Sequence, residues 1–145
     1  MNRKDFLRFL GLGAIGSLLP QSATAQRMAK PDDVRITGVE CYRFKKANFV
    51  KITTNTGVSG WGESDGSNRD FTGMYIEKEL KQYILGKNPF DSEGIWMEAY
   101  LKGLETGMSG LHPGSLAGID NAIWDVKGKI LGLPVHQLLG GNGRK

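Results

Sequence analysis

Beyond residue 33 the chain alternates between apolar and polar positions, as a half-buried strand does. Val34 and Ile36 share one face. Val39 and Cys41 share a face after the phase slips at Gly38, which predicts a strand over residues 34–44 with a bulge at the glycine. A second alternation over residues 49–54 sets Val50 and Ile52 against Lys51 and Thr53. Asn55-Thr56-Gly57 supplies the positive-φ residues of a tight hairpin, and residues 58–63 return as a third strand. The period then changes. Ile76, Leu80 and Ile84 recur at fourfold spacing and predict a helix over residues 72–85, stopped by Gly86. Asn88-Pro89 breaks the chain, Asp91 or Ser92 can cap a second helix, and Trp96, Met97, Tyr100, Leu101 and Leu104 read as its apolar face. A glycine-rich loop over residues 103–114 leads into a third helix begun at Pro113, whose missing N–H costs nothing at a first helical position. Leu116, Ile119, Ile123, Val126 and Ile130 run down one side of it. Gly118 and Gly128 each sacrifice about 1 kcal/mol of helix propensity, which close backbone packing would explain. Gly132 and Pro134 end this helix, and a last short one is expected over residues 134–139. A three-stranded antiparallel sheet followed by a three- to four-helix bundle is an α+β unit with segregated layers.

The first 25 residues carry a different pattern. A basic start with Arg3, Lys4 and Arg8 precedes an apolar stretch over residues 9–20, and Ala23 and Ala25 stand where a signal peptidase would cut after Ala25. The stretch is too short to span a bilayer stably, so an export signal is expected and no stable membrane anchor. Asn2 to Arg8 resembles a twin-arginine signal with Lys4 in place of the second arginine, so twin-arginine and general secretion both stay open. The segment 11–16 matches G-x-G-x-x-G, but no strand precedes it and no long helix follows, so dinucleotide binding is not assigned. Residues 26–33 are polar and read as a mobile linker.

Composition narrows the function classes. The chain has 145 residues, enough for one ordinary domain, with 39% hydrophobic and 23% charged positions. Its net charge of +4 comes partly from the export segment, and without a Lys/Arg run it gives no support to nucleic-acid binding. The one cysteine, Cys41, cannot make an internal disulfide and reads as a small core residue. His112 and His136 do not stand at zinc spacing. No residue of this chain is assigned a catalytic or metal-binding role from its own pattern.

Four segments together resemble a known family. Thr54-Asn55-Thr56-Gly57-Val58-Ser59-Gly60-Trp61-Gly62-Glu63 is similar to the T-x-x-G-x-x-G-W-G-E hairpin of the mandelate racemase/muconate lactonizing enzyme N-terminal domain, in the enolase superfamily. Gly86-Lys87-Asn88-Pro89 is similar to its connector. Ala117-Gly118-Ile119-Asp120-Asn121-Ala122-Ile123-Trp124-Asp125-Val126-Lys127-Gly128-Lys129 is similar to its A-G-I-D-x-A-L-W-D-I-K-G-K helix, and Leu138-Leu139-Gly140-Gly141 with Arg144 to its closing segment. The acid-sugar dehydratase group is the nearest in flavour.

The resemblance implies a capping domain over residues 34–145, ending where a catalytic (β/α)8 barrel would begin. Such a barrel takes about 250 residues and is expected to be absent from this chain. It also implies Mg²⁺ in the full-length enzyme, held by barrel carboxylates not found here, and removal of a proton beside a substrate carboxylate. Partners implied are the missing barrel, an acid sugar or other carboxylate, and further copies in a homo-oligomer of the complete enzyme. The family's substrate contacts from this domain come from two loops, here holding Lys45, Lys46 and Asn48 in one and Ser64 and Asp65 in the other.

The remaining polar residues have blander readings. Asp125 and Lys129 stand four apart with the acid first, as a helix ion pair does. Asp120 beside the apolar stripe is expected to be half-buried and paired across a domain contact. Trp61 and Trp124 read as core or interface aromatics, and His112 before Pro113 as a capping or solvent residue. Two functions follow: the inactive lid of an exported dehydratase or racemase, or a stand-alone periplasmic domain that binds a ligand or partner.

Overall fold

The computed structural model describes residues 31–44, 47–64, 69–107 and 109–141. Strands β1 (Ile36–Arg43), β2 (Asn48–Thr54) and β3 (Ser59–Ser64) form an antiparallel sheet in the order β1-β2-β3. The predicted bulge is present, because Ile36 pairs with Thr54 while Gly38 pairs with Thr53. Between β2 and β3, Gly57 takes a φ of 81° and its N–H reaches the Thr54 carbonyl at 3.0 Å. Alternation puts Ile36, Val39, Val50 and Ile52 on the inner face, all buried, and leaves Glu40, Tyr42, Lys51 and Trp61 on the outer one.

Helices cover the inner face. The first is a continuous rod of α1 (Arg69–Tyr75), a π-helical turn (Ile76–Leu80) and α2 (Lys81–Ile84). It begins earlier than the sequence predicts, and its wide turn was not foreseen. A strict four-residue repeat drifts around a helix of 3.6 residues per turn. The wide turn takes that drift back, so Ile76, Leu80 and Ile84 all remain buried in the core. Its connector is stitched to β1: Ile36 donates to the Lys87 carbonyl at 2.9 Å and accepts from Gly86 at 2.8 Å. Asn88 donates to the Pro31 carbonyl at 2.9 Å and accepts from the Phe90 N–H. Residues 31–33, read from sequence as the end of a mobile linker, form a short helical turn tied down by this asparagine and by Asn55.

Helix α3 (Ser92–Lys102) is capped by Asp91, which accepts from Gly94 at 3.2 Å. Its buried face is Ile95 and Ala99, with Trp96 and Tyr100 half-buried beside them. The predicted face is corrected here: Met97, Leu101 and Leu104 are 44%, 54% and 39% exposed. Helix α4 (Leu111–Leu131) starts two residues before Pro113 and ends at Gly132, whose φ of 66° closes the last turn. Proline is tolerated there because none of the first four helical N–H groups has a partner within the helix. A short α5 (Val135–Leu138) follows.

The contact that organises the whole is α4 laid on β3. A Cβ on Gly60 would strike the Ala122 carbonyl oxygen, one on Gly62 the Gly118 carbonyl oxygen, and one on Gly118 would sit 2.5 Å from Ser64 Cβ. Backbone therefore meets backbone, which explains the helix glycine that propensity disfavours. The same approach closes the sheet edge. Asn121 donates to the Glu63 carbonyl at 3.3 Å, Asp125 accepts from the Trp61 N–H at 2.8 Å, and Lys129 donates to the Ser59 carbonyl at 3.0 Å. Four helical residues rise about 6.0 Å and two strand residues about 6.7 Å. Side chains at every fourth helix position thus meet the edge groups of every second strand residue. An edge that would otherwise offer unpaired backbone groups is occupied from within. The Asp125–Lys129 ion pair, at 2.6 Å, belongs to this ladder.

Candidate functional site

The two loops singled out by the sequence leave the sheet at the same end, opposite the Gly57 turn. Register fixes this: Arg43, the last residue of β1, pairs with Asn48, the first of β2, and Asn48 pairs with Ser64, the last of β3. Lys45, Lys46 and Asp65 lie outside the described residues. Asn48 and Ser64 are not loop residues, as the sequence had them, but strand residues from which the loops spring. Alternation along β2 carries Asn48 to the inner face with Val50 and Ile52, so it is buried, and Ser64 is 4% exposed. The Ser64 hydroxyl has no hydrogen-bond partner among the described residues.

Arg43, which the sequence did not single out, braces this end. Its guanidinium donates to Glu77 at 2.9 Å and lies so close to α1 that a Cβ on Gly73 would come within 2.6 Å of Nε. Both partners are partly exposed, so the pair is worth only a few tenths of a kcal/mol to about 1 kcal/mol; its value is in direction. Cys41 is half-buried against the core, and burial pushes its thiol upward, with Glu77 adding to the effect and Arg43 opposing it. That agrees with its reading as a core residue.

The histidines part company with their sequence readings. His112 is buried, not solvated: Nδ1 lies 3.0 Å from the Tyr75 hydroxyl and Nε2 lies 3.2 Å from the Tyr100 carbonyl. The ring packs so tightly that Gly103 has no room for a Cβ. It joins α1, α3 and α4 as a polar spacer, a role that needs tertiary contacts to see. His136 is exposed.

Trp61 lies on the outer face of the sheet, 5.2 Å from Tyr42 between ring centroids, with Lys51 Nζ 5.7 Å from its ring. Trp124 is half-buried, and Lys127 Nζ lies 3.6 Å from its ring centroid. Burial pushes the Asp120 carboxyl above the usual carboxylate range, against the opposing pull of Lys127, and Glu93 adds to the rise. Among the described residues no group of three or more histidine, cysteine or acidic side chains could hold a metal ion. The described side chains thus offer no set of ligands for Mg²⁺, and no step through a metal is assigned to them.

The model of one family, described as the mandelate racemase / muconate lactonizing enzyme N-terminal domain, matches residues 22–140. Among curated relatives, the D-galactonate dehydratase of Ralstonia pickettii (strain 12J) is 38% identical over 109 residues, which covers 74% of this chain and 28% of that protein. The chain thus spans less than a third of the length of that relative. Among solved structures, an enolase from Pantoea ananatis with bound D-gluconate and Mg superposes with a TM-score of 0.71 at 34% identity, covering 77% of this chain and 28% of the other. A mandelate racemase/muconate lactonizing protein from Paracoccus denitrificans PD1222 complexed with magnesium gives a TM-score of 0.72 at 28% identity, covering 77% and 31%.

Proposed function

This chain belongs to the mandelate racemase / muconate lactonizing enzyme family through its N-terminal domain, and from that premise we propose that it is the lid of an exported acid-sugar dehydratase. The single observation that carries the reading is the meeting of both loop roots, Arg43 with Asn48 and Asn48 with Ser64, at one end of the sheet. Two loops rooted side by side can descend on one substrate. Water excluded beneath them strengthens every charge interaction in the space they close. The positive charges of Lys45 and Lys46 suit a substrate that carries a carboxylate. Asn48 and Ser64 set the directions in which the loops depart, and Asp65 stands at the start of the second.

Likeness to a D-galactonate dehydratase and to an enolase with bound D-gluconate supports a sugar acid as substrate. Mg²⁺ and the residues that hold it, together with the base, belong in this reading to a catalytic domain beyond the lid. Residues 1–25 direct export to the periplasm with cleavage after Ala25.

The test is a chimera in which residues 34–141 replace the matching segment of the Ralstonia relative. We expect dehydration of a sugar acid, and a rise in KM with kcat nearly held when Lys45→Ala or Lys46→Ala is introduced. A folded chimera without turnover, or one whose KM ignores both lysines, would overturn the proposal. Mature protein recovered from the periplasm is expected to begin at Gln26.

A further inference from the structure

On the helical side of the molecule α3 and α4 part to leave an open cleft of about 210 Å³, lined by Ser92, Glu93, Trp96, Asp120 and Trp124. Its walls are held by contacts of their own. The Trp96 ring stacks on Tyr100 at 4.7 Å with 11° between planes. Lys127 lies over the Trp124 ring and donates to Ser92 Oγ at 2.9 Å, so its ammonium is already engaged. Glu93 and Asp120 line the opening together with the two indoles, and Lys127 also acts on the Asp120 carboxyl.

We infer that this cleft receives the guanidinium group of an arginine presented by the catalytic domain on which the lid rides. The occupant's source rests on the lid reading; the chemistry of the cleft does not. Indole faces attract a flat, weakly hydrated cation, and carboxylates accept the forked N–H pairs that a guanidinium offers. A divalent ion would want more oxygen ligands than two side chains give, and no third acidic, histidine or cysteine side chain joins them among the described residues. A sugar acid would bring a third negative charge to Asp120 and Glu93. The volume argues the same way, since small-molecule sites run from roughly 300 to 1,000 Å³ and this one holds a side-chain head. Even with Lys127 nearby, the burial of Asp120 leaves its ionised form under-compensated. An arriving cation corrects that. On the lid reading the catalytic domain is the fitting source, and in the Ralstonia relative 72% of the length lies outside the matched segment, since the match covers 28% of it.

The test is a titration of the 145-residue chain with N-acetyl-arginine amide, which presents a guanidinium without a carboxylate, followed by the indole N–H resonances. Saturable shifts are expected at Trp96 and Trp124 and none at Trp61, on the far face of the sheet. Asp120→Asn should weaken them by at least about tenfold. Equal shifts at all three indoles, or binding indifferent to Asp120→Asn, would overturn the inference. Two further readouts separate it from the lid reading. In the chimeric enzyme Asp120→Asn should lower the thermal midpoint, while in the isolated chain it should raise it. A midpoint that rises in both would remove the catalytic domain as the source. Self-association of the isolated chain abolished by the same substitution would assign the arginine to a second copy and overturn the stated source. Loss of chimera turnover with arginine-amide binding intact would sink the lid and leave the cleft's chemistry standing.

Discussion

The seam where α4 meets β3 and the loop end of the sheet lie a few residues apart along β3, yet they are built on opposite rules. At the seam, Gly60, Gly62 and Gly118 remove every Cβ that would keep the backbones apart, and Asn121, Asp125 and Lys129 bond to the exposed strand edge. Almost no substitution fits there. At the loop end the strands finish in Arg43, Asn48 and Ser64, joined to one another by strand register. The difference teaches where to look for function. Motifs that identify the family are strongest where the chain is most constrained mechanically, and those residues hold a scaffold. Residues proposed to touch substrate carry no motif in this sequence.

The contrast can be broken most forcefully at Gly62. Gly62→Ala drives a methyl group into the Gly118 carbonyl, with backbone on both sides and no flexible side chain to yield. We expect a loss of about 3 kcal/mol, the upper range for overpacking, read from the urea midpoint. A loss below about 1 kcal/mol would mean that α4 can lift from β3 at little cost. His112→Leu comes next. It leaves the Tyr75 hydroxyl and Tyr100 carbonyl without the imidazole, and about 2 kcal/mol is expected from buried polar groups losing a partner. An unchanged midpoint would show that the ring only fills space.

Asp125→Ala sharpens the seam more gently. The Trp61 N–H points away from β2 and depends on this carboxylate, so its hydrogen exchange should accelerate strongly while Val50 and Ile52 amides stay protected. Stability should fall by about 1 to 2 kcal/mol. Equal exchange at Trp61 in both proteins would dissolve the edge ladder. The smallest effect is a pH slope. Asp120 has a folded-state pKa above its unfolded value, so the folded protein binds more protons between the two. Stability from this group is full below the unfolded value, near 3.8, and declines as pH rises through the window up to the folded value. Asp120→Asn should remove that decline and make the isolated chain slightly more stable at neutral pH; a lower midpoint would mean the carboxylate is well paired.

Much of this fold was legible because short-range pattern decides it. The strand alternation, the Gly38 bulge, the Gly57 turn and the buried row Leu116, Ile119, Ile123 and Val126 all follow from period and glycine placement. What escaped needed partners distant in sequence. Met97, Leu101 and Leu104 outweigh Ile95 and Ala99 in hydrophobicity, yet the small alanine allows α3 to approach the core and turns the larger residues outward. The spacing of Asp125 and Lys129 announced an ion pair but could not announce the strand edge it serves. His112 looked like a surface cap because the tyrosines that enclose it lie 37 and 12 residues away. Of the site, register places Asn48 beside Ser64, whereas the position of Asp120 next to the apolar stripe implies partial burial but gives no sign of the two indoles that line the same cleft.

The decisive measurement is an assay of the purified 145-residue chain with a panel of sugar acids and Mg²⁺, following dehydrated product and exchange of the proton beside the carboxylate. If the chain is a cover and the chemistry resides elsewhere, neither will rise above the uncatalysed rate. Turnover by this polypeptide unaided would contradict that division of labour at its root.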